Sequence, residues 1–164
     1  MVATGLVGHE GMVGMPLALE VGVASARAVV EVAGIALRMP ATRFKNEFQR
    51  GQQLQRKLYR YAQVKLNQAR QIAACISSHH FEQRLAGWLL MISHRAGSAE
   101  MFLTQEHLAN VLNVRRVSVT MASGSLRSGG LISYNRGNIL ILDRKGLESA
   151  ACRCHQSLAV ADLA

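Results

Sequence analysis

Residues 103–124 read LTQEHLANVLNVRRVSVTMASG, and the spacing within this stretch decides how the chain is built. Thr104 suits a helix N-cap, where its hydroxyl can accept from an amide the helix leaves unsatisfied. With Gln105 as the first helical position, Leu108, Leu112, Val114, Val119 and Ala122 fall on the inner sides of two short helices. Ala109 is small at the point where those helices must touch. Asn113 falls in the connecting turn, which wants a left-handed backbone, and asparagine tolerates that conformation best after glycine. The pattern predicts two helices joined by a tight turn, a helix-turn-helix over residues 105–124. Its second helix begins near Arg115 and turns Arg115, Arg116, Ser118 and Thr120 outward, with Met121 beside them. An arginine early in such a helix can give two hydrogen bonds to one guanine edge, and hydroxyls can bind phosphates or base edges. DNA binding is therefore expected of Arg115, Arg116, Ser118 and Thr120, with Thr104 and Gln105 at the start of the first helix.

The flanks agree with this reading. Residues 131–134 and 138–142 alternate as short strands around Asn135-Arg136-Gly137, a hairpin that can lie beside the second helix as a wing. Arg136 at its tip is the expected phosphate contact. Upstream, a helix is predicted over residues 80–95, with Phe81, Leu85, Trp88, Leu89 and Ile92 on one side and Gly97-Ser98 ending it. Residues 41–77 hold no proline and one glycine, Gly51, which divides a short helix from a long one. In the long helix Leu54, Leu58 and Tyr61 make one apolar stripe, and Ala62, Leu66, Ala69, Ala73 and Ile76 make an adjacent one. A helix of about 25 residues is about 37 Å long, and so long an amphipathic helix commonly pairs with a copy of itself. The residues expected to dimerise are Leu54, Leu58, Tyr61, Leu66, Ile72 and Ile76. Before Pro40 the chain is rich in Gly, Val and Ala and reads as short strands and turns, the best strand being residues 26–33. The fold class is thus α+β and mostly α, in three parts: residues 1–40, 41–78 and 79–164.

Composition supports a folded chain with a polyanionic partner. Hydrophobic residues make up 49% and charged residues 18% of 164, and the formal charge is +9. Acidic lipid would satisfy the same charge, but the apolar run of residues 13–37 is broken by Pro16, Glu20, Arg27 and Glu31 and does not read as a membrane span. No signal peptide is evident, which makes the cytoplasm the expected compartment. The three cysteines, Cys75, Cys152 and Cys154, form no disulfide framework. The Cys152-x-Cys154-His155 run lacks the second ligand pair of the usual zinc spacings, so no metal and no cofactor is expected. No nucleophile–base–acid set and no Walker-type loop occurs, which argues against an enzyme. The basic residues of the stretch 41–77, from Arg43 to Arg70, read as a solvated helix face.

Residues 103–120, Gly130-Leu131-Ile132 and residues 139–143 together resemble the CRP/FNR family of bacterial regulators. The resemblance implies a dimerisation helix over the long helix, a C-terminal winged helix-turn-helix, and a remnant of a sensor β-roll over residues 1–40. It implies double-stranded DNA as partner, a homodimer on a pseudo-palindromic operator, and RNA polymerase as a further partner. GMVGMP at residues 11–16 is similar to the family's phosphate-binding turn, and Arg27-Ala28 lies where the family often has Arg-Ser. Gly11, Gly14 and Arg27 are therefore the candidate effector-binding residues. Met12 and Val13 replace the Glu-Leu of the cyclic-nucleotide binders, and Val117 stands where many members have Glu after the base-reading arginine. Only about forty residues precede the long helix, so the sensor reads as truncated. Two other readings follow: a dimerisation protein that modulates a full-length relative, and a sensor that still binds a small anion near Gly11 and Gly14.

Overall fold

The computed structural model describes residues 3–24 and 26–155. Helix α3, Gln52–Ser78, is the spine, and α2, Ala41–Arg50, is separated from it by the extended Gly51. After His79 and His80 the chain enters α4, Phe81–Ala96, which ends where Gly97 adopts φ 63° and its amide reaches back to the last turn. Strand β1, Glu100–Phe102, leads into α5, Gln105–Leu112, and α6, Arg116–Ser128. Strands β2, Ile132–Asn135, and β3, Asn138–Ile141, then form a hairpin, and α7, Arg144–Ala150, closes the domain. Asp143 caps α7 by accepting from the Gly146 amide. The sheet is antiparallel in the order β1-β3-β2, with Met101 and Tyr134 both opposite Ile139.

The main core lies between α4 and the elements around it. Leu85, Leu89, Leu108, Val119 and Leu147 are wholly excluded from solvent, and Trp88, Leu126, Ile132 and Ile139 nearly so. α4 is buried almost all round because α6 and α7 both pack against it. The α+β, mostly α class and the winged helix-turn-helix are as the sequence predicts. Beyond Pro40, two elements lie outside the sequence reading: β1, whose three residues pair with a strand nearly forty positions on, and α7.

The segment before Pro40 departs from expectation. No strand forms among residues 3–24 and 26–40, including the predicted one over residues 26–33. A strand needs a neighbour for its ladder hydrogen bonds, and no second strand stands beside this one, so Val29 and Val30 are exposed. The one helix here is a single turn, α1, Met15–Ala18, which packs with Phe44 of α2 and Leu58 of α3 in a small second core.

The segment is nevertheless tied down. The Ala3 amide donates to the Val111 carbonyl, Lys65 donates to the Leu6 carbonyl, and Glu31 meets His107 of α5 at 2.7 Å. Glu10 is buried against Arg95 at 3.2 Å, with Lys65 at 3.9 Å. Burial pushes the Glu10 carboxyl upward, but the amides of Glu10 and Gly8 and the charges of Arg95 and Lys65 outweigh it, and the net shift is downward. A lowered pKa in the fold means that ionised Glu10 stabilises the native state above its ordinary range, and that this contribution fades as pH falls through the folded value. Thermal melts of wild type and Glu10→Gln should accordingly differ at neutral pH and converge in acid; a difference that does not change with pH would contradict this role.

Candidate nucleic-acid interface

The local geometry of the helix-turn-helix follows from three residues. Thr104 Oγ1 accepts from the His107 amide at 3.1 Å and starts α5. Asn113 takes φ 53° and ψ 54°, ending α5, and the Val114 amide closes onto the Ala109 carbonyl at 3.0 Å. Arg115 is then extended as the N-cap of α6, and Leu108, Ala109 and Leu112 of α5 are buried in one core with Val119, Ala122 and Leu126 of α6. Arg84 of α4 fixes the turn from behind by donating to the Leu112 carbonyl at 3.1 Å.

A groove of about 410 Å³ runs between the open face of α6 and the hairpin. It brings together Thr104, Gln105, Arg116, Thr120 and Arg136 of the expected set. Arg115 and Ser118 do not line it: Arg115 is exposed at the helix cap, and Ser118 is half-buried one residue off the open face. The Thr120 hydroxyl is engaged within the chain, facing Gln105 Oε1 at 2.9 Å and the Arg116 carbonyl at 3.1 Å. It therefore sets the position of Gln105 against α6. Val117 and Met121 project from the same helix, 55% and 71% exposed.

The groove also holds Arg127 and Tyr134, which were not singled out from sequence. Arg127 was legible, because residues 116, 120, 123 and 127 recur at helical spacing on one face of α6. Tyr134 was not: its hydroxyl donates to the Leu103 carbonyl at 2.9 Å, a contact that joins the wing to the strand before α5. Burial pushes the Tyr134 phenol upward, keeping it a neutral donor.

The wing tip is a two-residue turn with Arg136 at φ 48° and Gly137 at φ 95° between paired Asn135 and Asn138. Gly137 gives its carbonyl to the Leu103 amide at 2.7 Å, and a Cβ there would meet Phe102 at 2.9 Å. Gly137→Ala should cost about 1–2 kcal/mol from the left-handed backbone alone. It should also displace Arg136, seen as a lower melting temperature together with weaker DNA binding; an unchanged melt would contradict the turn.

Of the candidate effector residues, Gly11 sits against Tyr61 of α3 and Gly14 precedes α1. The Met12 amide, which an anion at this turn would need, donates to the Tyr61 hydroxyl at 3.2 Å, and that hydroxyl donates back to the Met12 carbonyl at 3.2 Å. Burial, first among its causes, pushes the Tyr61 phenol up to about 12, so it stays protonated. Gly11 has no side chain because Tyr61 occupies that space, and Gly14, φ 106°, only introduces the single turn of α1. Arg27 is exposed in irregular backbone, not on a strand.

The expected dimerisation set divides. Leu58 and Tyr61 are buried, Leu54 packs with Leu58 against α1 and α2, and Ile72 packs against the main core. Leu66 and Ile76 are exposed, 45% and 43%, on the stripe with Ala62, Ala69 and Ala73.

Residues 83–150 match the family model of the Crp-like helix-turn-helix domain. The chain is similar to a solved structure described as a Crp/Fnr-family transcriptional regulator from Eubacterium rectale, at 25% identity and TM-score 0.51, covering 68% of this chain and 51% of that one. FixK2 from Bradyrhizobium japonicum aligns at 19% identity and TM-score 0.61, covering 68% and 59%. A CRP-family transcriptional regulator from Thermus thermophilus aligns at 21% and 0.54, covering 62% and 55%. The last two likenesses concern the fold alone. The chain spans between half and two thirds of the length of these proteins. No curated protein matches it. No helix among the described residues is long and apolar enough to cross a membrane.

Proposed function

We propose, on the premise that residues 83–150 are a Crp-like helix-turn-helix domain in a chain with the CRP/FNR fold, that this protein is a cytoplasmic transcription regulator that binds a pseudo-palindromic duplex operator as a homodimer. The observation that carries the reading is the groove in which Arg116, Arg127 and Arg136 converge with Gln105 and Thr120 beside the open face of α6. A face of that charge and shape suits a helix lying in a major groove with a wing over the flanking phosphates. Arg116, at the N-terminal end of α6, is assigned the base-reading role. Val117 and Met121 supply apolar surface of the kind that meets thymine methyl groups. Arg115, Arg127 and Arg136 are assigned to phosphates, which makes binding salt-dependent. Ser118 keeps a phosphate role at the side of the helix. The three-part division of the chain belongs to the same proposal. An effector at Gly11 and Gly14 is not part of it, since Tyr61 already takes the Met12 amide.

Dimerisation is assigned to the half-exposed stripe of α3 that carries Leu66, Ala73 and Ile76. Residues 62, 66, 69, 73 and 76 repeat at spacings of four and three, the pattern of a two-helix seam, and the alanines allow close approach. Wild type is expected to sediment as a dimer. Leu66→Glu with Ala73→Glu, both at exposed positions, should give a folded monomer with at least about tenfold weaker operator binding, since one half-site contact is lost. A wild-type protein that stays monomeric with and without DNA would overturn the dimer.

A further inference from the structure

Three cysteines far apart in the chain meet at one point. Cys75 lies in the last turns of α3, and Cys152 and Cys154 lie in the tail after α7. Their Sγ atoms are all within 4.8 Å of one another, and Cys75 and Cys152 are 3.4 Å apart. Thiolates around a tetrahedral zinc ion stand about 3.8 Å apart, given Zn–S bonds of about 2.3 Å. Shifts of about one ångström or less would therefore seat an ion among the three. A disulfide would instead need two sulfurs to close to about 2.0 Å, and it would leave the third cysteine unused.

The surroundings suit bound thiolates. Gln71 Nε2 donates to Cys154 Sγ at 3.0 Å, the kind of bond that orients a ligand sulfur and spreads its charge. Ile72, Trp88, Met91 and Val111 make an apolar wall, and Arg84 on the same wall is a nearby positive charge. Beside the sulfurs lies a cavity of about 40 Å³, enough for one water as a further ligand. His155 is not a ready fourth ligand through Nδ1, which is 2.7 Å from the Cys152 carbonyl and holds the tail's turn over the site. The Cys152 amide anchors the tail to α4 through the Gln83 carbonyl.

We propose that Cys75, Cys152 and Cys154 together bind one thiophilic metal ion per chain, Zn²⁺ or Cu(I), clasping the long helix to the DNA-binding domain. Sulfur ligands favour these ions over oxygen-seeking Mg²⁺ or Ca²⁺. Three thiolates complete a trigonal Cu(I) site, and Zn²⁺ adds water. The clasp joins positions 77 residues apart next to Ile76 on the exposed stripe, so it fixes the end of α3 against α4. Any effect of the ion on operator binding rests on the function proposed above; the site itself does not.

The test uses the full, reduced, metal-free chain without DNA. Zn²⁺ is titrated against a chromophoric zinc chelator, and Cu(I) against a colorimetric Cu(I) chelator. Wild type should take up one equivalent of the preferred ion, and Cys75→Ser should bind about 100-fold more weakly or worse. Should Cys75→Ser fail to fold, alkylation of wild type followed by mass spectrometry answers the same question. Bound metal should then protect Cys75 together with Cys152 and Cys154. No stoichiometric uptake of either ion would overturn the proposal. So would uptake that survives Cys75→Ser or leaves Cys75 open to alkylation, because the ion would then sit on the tail alone. Neither readout involves DNA, so failure here leaves the regulator reading untouched, and failure of that reading leaves the metal count untouched.

Discussion

Leu108→Ala is expected to destabilise the protein by about 2–5 kcal/mol, the range for emptying a fully enclosed leucine site. Leu108 is 0% exposed in the core where α5 meets α6, so removing its side chain leaves a gap among close-packed neighbours. Folded domains are stable by only about 5–15 kcal/mol, so the loss is a large fraction of the total. For a domain of this size it should lower the melting temperature by about 10 °C or more. Val117→Ala removes a similar side chain from the exposed face of α6 and should shift stability by about 0.5 kcal/mol at most. Parallel thermal melts check the contrast. Equal shifts for the two variants would mean that α5 and α6 do not pack as described.

The second large effect concerns recognition and not folding. Arg116→Ala should leave the melt nearly unchanged, because the side chain is exposed at the first turn of α6. Operator binding should weaken by about 1–3 kcal/mol, with relaxed preference at one base pair in each half-site. Arg127→Ala and Arg136→Ala should behave differently. If they contact phosphates, each should weaken binding to all sequences alike and reduce the salt slope by about one. Anisotropy titrations over a salt series separate the two kinds of arginine. A uniform loss for Arg116→Ala would move it to the phosphate group and leave base reading to its neighbours.

The features legible in the sequence were those with local causes. Thr104 caps because its hydroxyl reaches an amide three residues on, and Asn113 turns because its backbone tolerates a left-handed conformation. Gly97 ends α4 for the second of these reasons, at φ 63°, and Gly51 parts α2 from α3 in extended backbone. The features that were missed depend on contacts across the chain. β1 is three residues long and exists only because β3 passes beside it. Residues 26–33 have strand composition but no neighbour to pair with. Apolar periodicity on α3 showed two stripes but could not say which would be covered by α1 and α2. Cys75 stands 77 residues from Cys152, so neither the spacing nor the Cys152-x-Cys154 run could show the cluster that folding assembles.

The most direct test of the account is selection of wild-type protein against a randomised duplex pool, followed by anisotropy on the enriched sequences at fixed salt. The account predicts a pseudo-palindrome whose half-site centres lie one or two helical turns apart, about 34 Å for each turn. The winners should bind at least about 10³-fold more tightly than random duplex. A pool that enriches no motif, with every duplex bound alike and weakly, would contradict it: the helix-turn-helix would then be present as a fold but would not read sequence.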